Sequence, residues 1–369
     1  MEPGSQDSEF GMQKSEVGMR CVGGMRRIVL ALVVTAAAAG AWLAWQQSLR
    51  LKEPFQGYAG AEQFVEVPGG AGPRAIGRLL ASAGVIRDPI TWRLAVWRSG
   101  AATRLKAGEY RFAGPLTPAA VVEKLARGDV FTRSVTFPEG LTIRQMASIY
   151  ESAGLGPARQ FVEAAGQGSL VHAFDPLARD LEGYLFPDTY LLPRRASADD
   201  LVRRMVERFE RALTEDLRDA ARRSGMSIRD LVTLASLVEK ETARADERPL
   251  VAAVYRNRLA VQMRLQCDPT VIYALEQQGR FSGNLTRADL AVASPYNTYR
   301  YAGLPPGPIA APGQASLEAA ARPAAAPYSY FVSRNDGSHA FASTLREHNR
   351  NVQEFQVQFF RRRPRSASR

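Results

Sequence analysis

The sequence predicts an α+β protein: one membrane helix, then a small β-α-α-β domain, then a larger α+β domain. Three observations predict it. The composition is globular, with 46% hydrophobic and 23% charged residues, and 369 residues suffice for about two domains with real cores. Ile28–Trp45 reads IVLALVVTAAAAGAWLAW, an apolar run without a charge. Beyond it, helix-period and strand-period segments succeed one another with no internal repeat.

Taken in order, residues 1–27 balance acids against bases and read as a short cytoplasmic tail, or as a start set too early before Met19 or Met25. Ile28–Trp45 is just long enough to span a bilayer, and Arg26 and Arg27 place its leading end in the cytoplasm. Trp42 and Trp45 suit the far interface. The rival is a cleaved signal peptide, since the alanines offer cleavage sites, but the run exceeds the usual apolar region of about 7–15 residues. Residues 46–59 form a linker, and everything beyond the span is expected outside the cytoplasm.

Residues 60–130 form the small domain. Phe64–Val67 is strand-like and the Pro68-Gly69-Gly70 turn follows. Ile76, Leu79, Leu80 and Ala83 share one helical face within Pro73–Ala83, and Pro89–Arg98 gives a second helix. Gly108–Phe112 is a short strand; Thr117–Arg127 is a third helix, stopped by Gly128. The β-α-α-β order resembles the LysM-like domains that bind glycans in cell-wall proteins.

Residues 131–360 form the larger domain. SVTFPEGLT gives a strand, a Pro-Glu-Gly turn and Thr142 as the cap of a helix to about Ala153. Another helix starts at Pro157. Leu181–Leu192, LEGYLFPDTYLL, reads as strand-turn-strand with acids near the turn. Ser227 and Asp230 have capping-box form at the head of a central helix. The next helix begins near Asp246 and tolerates Pro249 in its first turn. Tyr328–Ala342 reads as two strands joined by an Asn-Asp-Gly turn.

The net charge of +11 suggests nucleic acid until it is located. The tail at 361–369, RRRPRSASR, holds much of the excess, and no stretch interleaves cations with aromatics as a nucleic-acid groove does. That tail reads as solvated, with attraction to anionic lipid or wall polymer as its functional alternative. Cys21 and Cys267 cannot make a disulfide framework, and the bilayer is expected to separate them. His172, His339 and His348 lack metal-ligand spacing, so neither metal nor cofactor is expected.

LASLVEKET, residues 234–242, places two glutamates on an otherwise apolar helix. On a helical wheel Leu231, Leu234, Ala235, Leu237 and Val238 gather on one side; Thr233, Ser236 and Lys240 lie opposite. Glu239 and Glu241 fall on opposite borders of the apolar stripe, about 160° apart. They cannot face one substrate together. Glu239 borders the small groups of Val232, Ala235, Thr242 and Ala243, which leave room for a ligand, whereas Glu241 borders Leu234 and Leu237. Glu239 is the candidate acid.

LEGYLFPDTY, ASLVEKET, RLQCDPTVIY, SPYNTY, GLPPGPIAAPG and FVSRNDGSHAF follow the apolar run in that order. This succession resembles the endolytic murein (peptidoglycan) transglycosylases of the YceG-like, MltG type over about residues 60–355. The resemblance implies a single-pass inner-membrane protein with a LysM-like module and a periplasmic catalytic domain in which Glu239 is the catalytic acid. It implies a lyase that cuts murein strands internally between N-acetylmuramic acid and N-acetylglucosamine, leaves a 1,6-anhydro end and thereby terminates growing strands. The implied partners are glycan strands, the bilayer and peptidoglycan synthases, with no nucleic acid. One carboxyl suffices for that chemistry because the muramyl 6-hydroxyl replaces water as nucleophile, and apolar surroundings would keep the acid protonated.

Tyr296, Asn297 and Tyr299 could offer aromatic faces and an amide to the sugars, or else pack a turn. Gly303–Pro308, stiffened by proline, could wall a cleft. Glu182, Asp188 and Asp268 are the acids expected to be able to reach Glu239, each with a capping role as the alternative. His339 reads as a satisfied histidine and Cys267 as a buried small side chain. Two other functions stay open: a non-catalytic wall-binding scaffold, and a two-carboxylate muramidase that hydrolyses the same bond.

Overall fold

The computed structural model describes residues 13–362, with side chains from Val29 to Phe359 and at Arg361. Two compact units meet in sequence at Phe131–Thr132. In the first, helix α1 (Gln13–Arg50) runs without a break through the apolar segment. Val29–Arg50 is long and apolar enough to cross a membrane, and Leu30, Val33, Trp42 and Trp45 are all more than half exposed. The helix continues past Trp45, so the first residues of the expected linker are helical.

The small domain has the expected order: β1 (Gln63–Val67), α2 (Pro73–Ser82), α3 (Pro89–Ser99), β2 (Gly108–Phe112) and α4 (Pro118–Arg127). Strands β1 and β2 pair antiparallel, Val65 opposite Tyr110. Period-two alternation decides their faces: Val65, Val67, Tyr110 and Phe112 are buried, Glu66 and Arg111 turned outward. Ile76, Leu80, Trp92, Val121 and Leu125 complete this core. Thr117 caps α4, whose end is Gly128 in the left-handed conformation, φ 74°.

The second unit begins with β3 (Arg133–Thr136), followed by α5 (Ile143–Ser152), α6 (Ala158–Ala165), β4 (Thr189–Leu192), α7 (Ala198–Ala212), α8 (Glu215–Arg223), α9 (Ile228–Glu241), α10 (Arg248–Ala260), α11 (Asp268–Gln277), α12 (Gln314–Ala321), β5 (Tyr330–Ser333), β6 (His339–Ala342) and α13 (Leu345–Val352). β3 pairs with β4 and β5 with β6, both antiparallel. Thr142 and Gln145 form a full capping box on α5, and Ser227 and Asp230 another on α9.

One expected strand is absent. Leu181–Phe186 is not a strand but a buried turn, with Gly183 at φ 83° and the Tyr184 amide donating to the Leu181 carbonyl over 2.9 Å. Leu181, Tyr184, Leu185 and Phe186 are all buried, and a strand's alternation cannot bury neighbours on one face. Only Thr189–Leu192 of that segment is strand. The core gathers on α9, where Leu231, Leu234, Leu237 and Val238 are fully enclosed. The side expected to be polar is buried too: the Ser236 hydroxyl donates to the Thr233 carbonyl and accepts the Ile309 amide over 3.1 Å. A central helix covered all round needs its polar groups paired internally.

Candidate active site

Helix α9 ends at Glu241, and Thr242 turns extended at φ −141°, ψ 133°. A short turn then starts α10 at Arg248, with Pro249 in its first turn. The Glu247 carboxylate braces this corner, accepting from the Thr242 hydroxyl and from the His339 backbone amide, with the His339 imidazole Nδ1 at 2.6 Å. His339 is thus a satisfied histidine that ties β6 to the turn.

The corner aims Arg248 at Glu239, with Nη2 donating to Oε1 at 3.1 Å. The other oxygen, Oε2, accepts the Gly313 amide at 3.0 Å. Gly313 ends a segment that runs beside α9 from Ile309. Its Ala311 amide donates to the Leu141 carbonyl, and its Ala311 carbonyl accepts the Gly140 amide, both at 2.8 Å. The Pro138-Glu139-Gly140 turn is therefore stitched to the same place. Gly140 has φ 77°, a region that favours glycine, and its carbonyl accepts Lys240 Nζ at 3.1 Å.

The Glu239 side chain is 6% exposed and Arg248 12%. The open, apolar border expected around Glu239 is instead filled by an arginine, two glycine backbones and a second acid, Glu139, whose Oε2 lies 3.5 Å from the same Arg248 nitrogen. Glu139 is 45% exposed. Burial pushes its carboxyl upward and the charge of Glu239 adds to this, against Arg248.

Glu241 lies on the other border, as the wheel requires. Its carboxyl accepts the Tyr255 hydroxyl at 2.7 Å and meets the Cys267 thiol, and burial pushes it upward. Cys267 is buried and unpaired, its thiol driven well up by enclosure. It is filler, not a nucleophile. The Cys21 side chain and most of the basic tail lie outside the described residues.

The three acids expected near Glu239 go elsewhere. Glu182 is buried and accepts the Ile143 amide at 3.1 Å and the Tyr273 hydroxyl at 3.4 Å; burial pushes it up to about 8. Asp188 caps its own strand through the Thr189 amide at 2.7 Å and pairs with Arg208 at 2.8 Å, contacts that hold it low. Asp268 opens α11 and accepts the Tyr299 hydroxyl. Each is engaged away from Glu239: Glu182 with the start of α5 and Tyr273, Asp188 with its own strand and Arg208, Asp268 with Tyr299.

Asn297 is fully buried, its amide donating to the Leu290 and Val292 carbonyls and its oxygen accepting the Tyr299 amide. Enclosed and engaged in this way, its side chain holds the loop that carries Tyr296 and Tyr299. Tyr296 does line a cavity of about 530 Å³, with Glu182, Asp180, Arg229 and the Pro306-Gly307-Pro308 stretch. Arg229 and Glu239 sit ten residues apart on α9, roughly 15 Å by helical rise.

Fold and site together define a class: a small β-α-α-β domain, and an α+β domain whose central helix ends in one enclosed carboxyl held by an arginine and a backbone amide. The YceG-like family model matches residues 65–354, and the chain belongs to that family. It is 30% identical over 321 residues to a protein of Bacillus subtilis (strain 168) named endolytic murein transglycosylase, covering 83% of this chain and 88% of that one. A protein of the same name from Streptococcus pneumoniae serotype 2 is 28% identical over 365 residues; the match spans 89% of this chain and 65% of the longer relative. The crystal structure of a yceG-like protein from Listeria monocytogenes aligns with TM-score 0.54 at 32% identity, over 79% of this chain and 98% of that one.

Glu139, Arg248 and Gly313 are the site residues that sequence reasoning missed. FPEG was legible as a turn, and GLPPGPIAAPG as a stiff loop, but not that both close on the end of α9.

Proposed function

We propose that this chain is an endolytic murein transglycosylase, held in the cytoplasmic (inner) membrane by Ile28–Trp45 with its larger domain in the periplasm, and that Glu239 is its acid–base catalyst. The names of its relatives support the substrate and the reaction. The observation that carries the role of Glu239 is its placement: a nearly enclosed carboxyl oriented through both oxygens, by Arg248 and the Gly313 amide.

Protonated Glu239 gives its proton to the oxygen linking N-acetylmuramic acid to N-acetylglucosamine, and the bond to the anomeric carbon breaks. The muramyl 6-hydroxyl attacks that carbon, its proton passes to the Glu239 carboxylate, and the 1,6-anhydro ring closes. The catalyst ends as it began and no water is consumed. Charge-assisted donors on both oxygens suit the carboxylate of the second half-reaction. The small domain, LysM-like in element order, is read as a glycan-binding module; cuts within strands would end their growth beside peptidoglycan synthases.

Glu139 favours a second reading, the two-carboxylate muramidase. A hydrolase needs its carboxyls on either side of the scissile bond, separated by about 5–9.5 Å of usable space. Here one Arg248 nitrogen is paired with both acids, which ties the two carboxyls to a shared cation instead of leaving them to flank a sugar. The lytic reaction is therefore preferred. Digestion of murein in heavy-oxygen water, followed by mass spectrometry, tests it: the expected fragments are internal and end in unlabelled 1,6-anhydro-N-acetylmuramic acid. Labelled reducing ends would establish hydrolysis, and no cleavage by folded protein would establish the scaffold.

A further inference from the structure

We propose that Glu139 is a positioning residue for this reaction: by sharing the Arg248 guanidinium with Glu239, it sets how firmly the site keeps the proton that Glu239 transfers. The inference rests on the reading of Glu239 as the acid–base catalyst. A single nitrogen, Arg248 Nη2, serves both acids, 3.1 Å from Glu239 and 3.5 Å from Glu139. Arg248 is the cation paired directly with both carboxylates, since Lys240 Nζ is turned to the Gly140 carbonyl; that directly paired group carries a net negative charge, and a single proton shared over the two acids makes it neutral. Two acids coupled in this way release that proton at higher pH than one acid paired with the arginine alone.

The fold is built to keep Glu139 there. Its turn is fastened on both sides, to Ala311 by the Gly140 amide and to Lys240 by the Gly140 carbonyl. Gly313 reports the same constraint. Its φ of −79° suits any residue, yet a Cβ there would lie 1.8 Å from Glu139 Oε1. What a side chain at this position would displace is the end of the Glu139 side chain, so glycine leaves the carboxyl room to sit beside Arg248. Glu139 is far more exposed than Glu239, so the pair exchanges protons with solvent through it. Arg248 from α10 and Lys240 from the last turn of α9 are the charged groups facing the pair; the Ile309–Gly313 segment contributes none.

The test follows kcat and KM against pH for murein cleavage by the detergent-solubilised full chain. For Glu139→Gln, the alkaline limb of kcat is expected to move down by about one pH unit or more, with KM little changed. Activity above the limb then falls about tenfold and returns on acidification. Glu139→Asp, which keeps the charge, should hold the limb close to wild type. Glu139→Ala carries the same expectation as Glu139→Gln if the latter does not fold. A folded Glu139→Gln enzyme with the wild-type profile, or one slowed by the same factor at every pH, overturns the proposal. Glu239→Gln is run alongside: if it still cleaves, the catalytic reading of Glu239 has failed instead.

Discussion

Two glutamates two positions apart have different fates because a helix turns by about 100° per residue. Glu239 meets Arg248 and the Gly313 amide, whereas Glu241 meets Tyr255 and Cys267 in the interior. Glu239→Gln keeps the size and one of the two accepting oxygens but has no proton to transfer. Cleavage of murein should vanish while the thermal melt stays near wild type; a folded, active variant would remove Glu239 from the mechanism. Glu241→Ala leaves the buried Tyr255 hydroxyl without its carboxyl acceptor, at a cost of about 1–3 kcal/mol, with activity per folded molecule retained. Glu182 gives a pH signature. Its carboxyl rises from an ordinary 4.5 to about 8 in the folded chain, so folding favours its proton. That contribution is complete below 4.5 and is lost as pH rises through 8. Urea titrations of Glu182→Gln should therefore show a flatter decline of stability between those values than wild type.

At the scale of elements, α9 is a helix whose supposed polar face became an interface. Ser236 is fully buried and its hydroxyl accepts the Ile309 amide, pinning the segment that delivers Gly313 to Glu239. Ser236→Ala should leave that amide unpaired and cost about 1–3 kcal/mol, with a larger loss of kcat than a substitution remote from the segment. Thr233, one turn earlier, has a buried hydroxyl with no partner. Thr233→Val keeps the shape and removes the unpaired group, so denaturant melts should show no loss of stability. Equal damage from both substitutions would contradict the assignment of Ser236 as the link.

On the scale of the whole molecule, α1 is unlike every other helix in the described residues. Its apolar side chains from Val29 to Trp45 are exposed along their length, with nothing among the described residues covering them. A soluble chain exposing such a surface would aggregate, and a bilayer removes it from water. The full chain should stay with membranes through carbonate and high-salt washes, with residues beyond the span open to external protease. Soluble protein beginning near residue 37–46 would show instead that the segment is a cleaved signal.

Local patterns were legible in the sequence because they depend on neighbours within a few residues. The β1 and β2 alternation, the Thr117 cap with its Gly128 stop, the capping boxes at Thr142 and Ser227, and the Asn-Asp-Gly hairpin are of this kind. That Glu239 and Glu241 face different ways was equally local, since helical geometry alone separates them. Leu181–Phe186 misled because aromatics beside a proline suit a strand as well as a buried turn, and only the packing around Gly183 decides. What surrounds Glu239 was beyond any local pattern. Gly140 and Gly313 lie 100 and 74 residues from the α9 residues they bond, and Glu139 lies 109 residues from Arg248. Contacts at that separation arise only when the core has closed around α9, so the tertiary structure alone decided which acid shares the arginine.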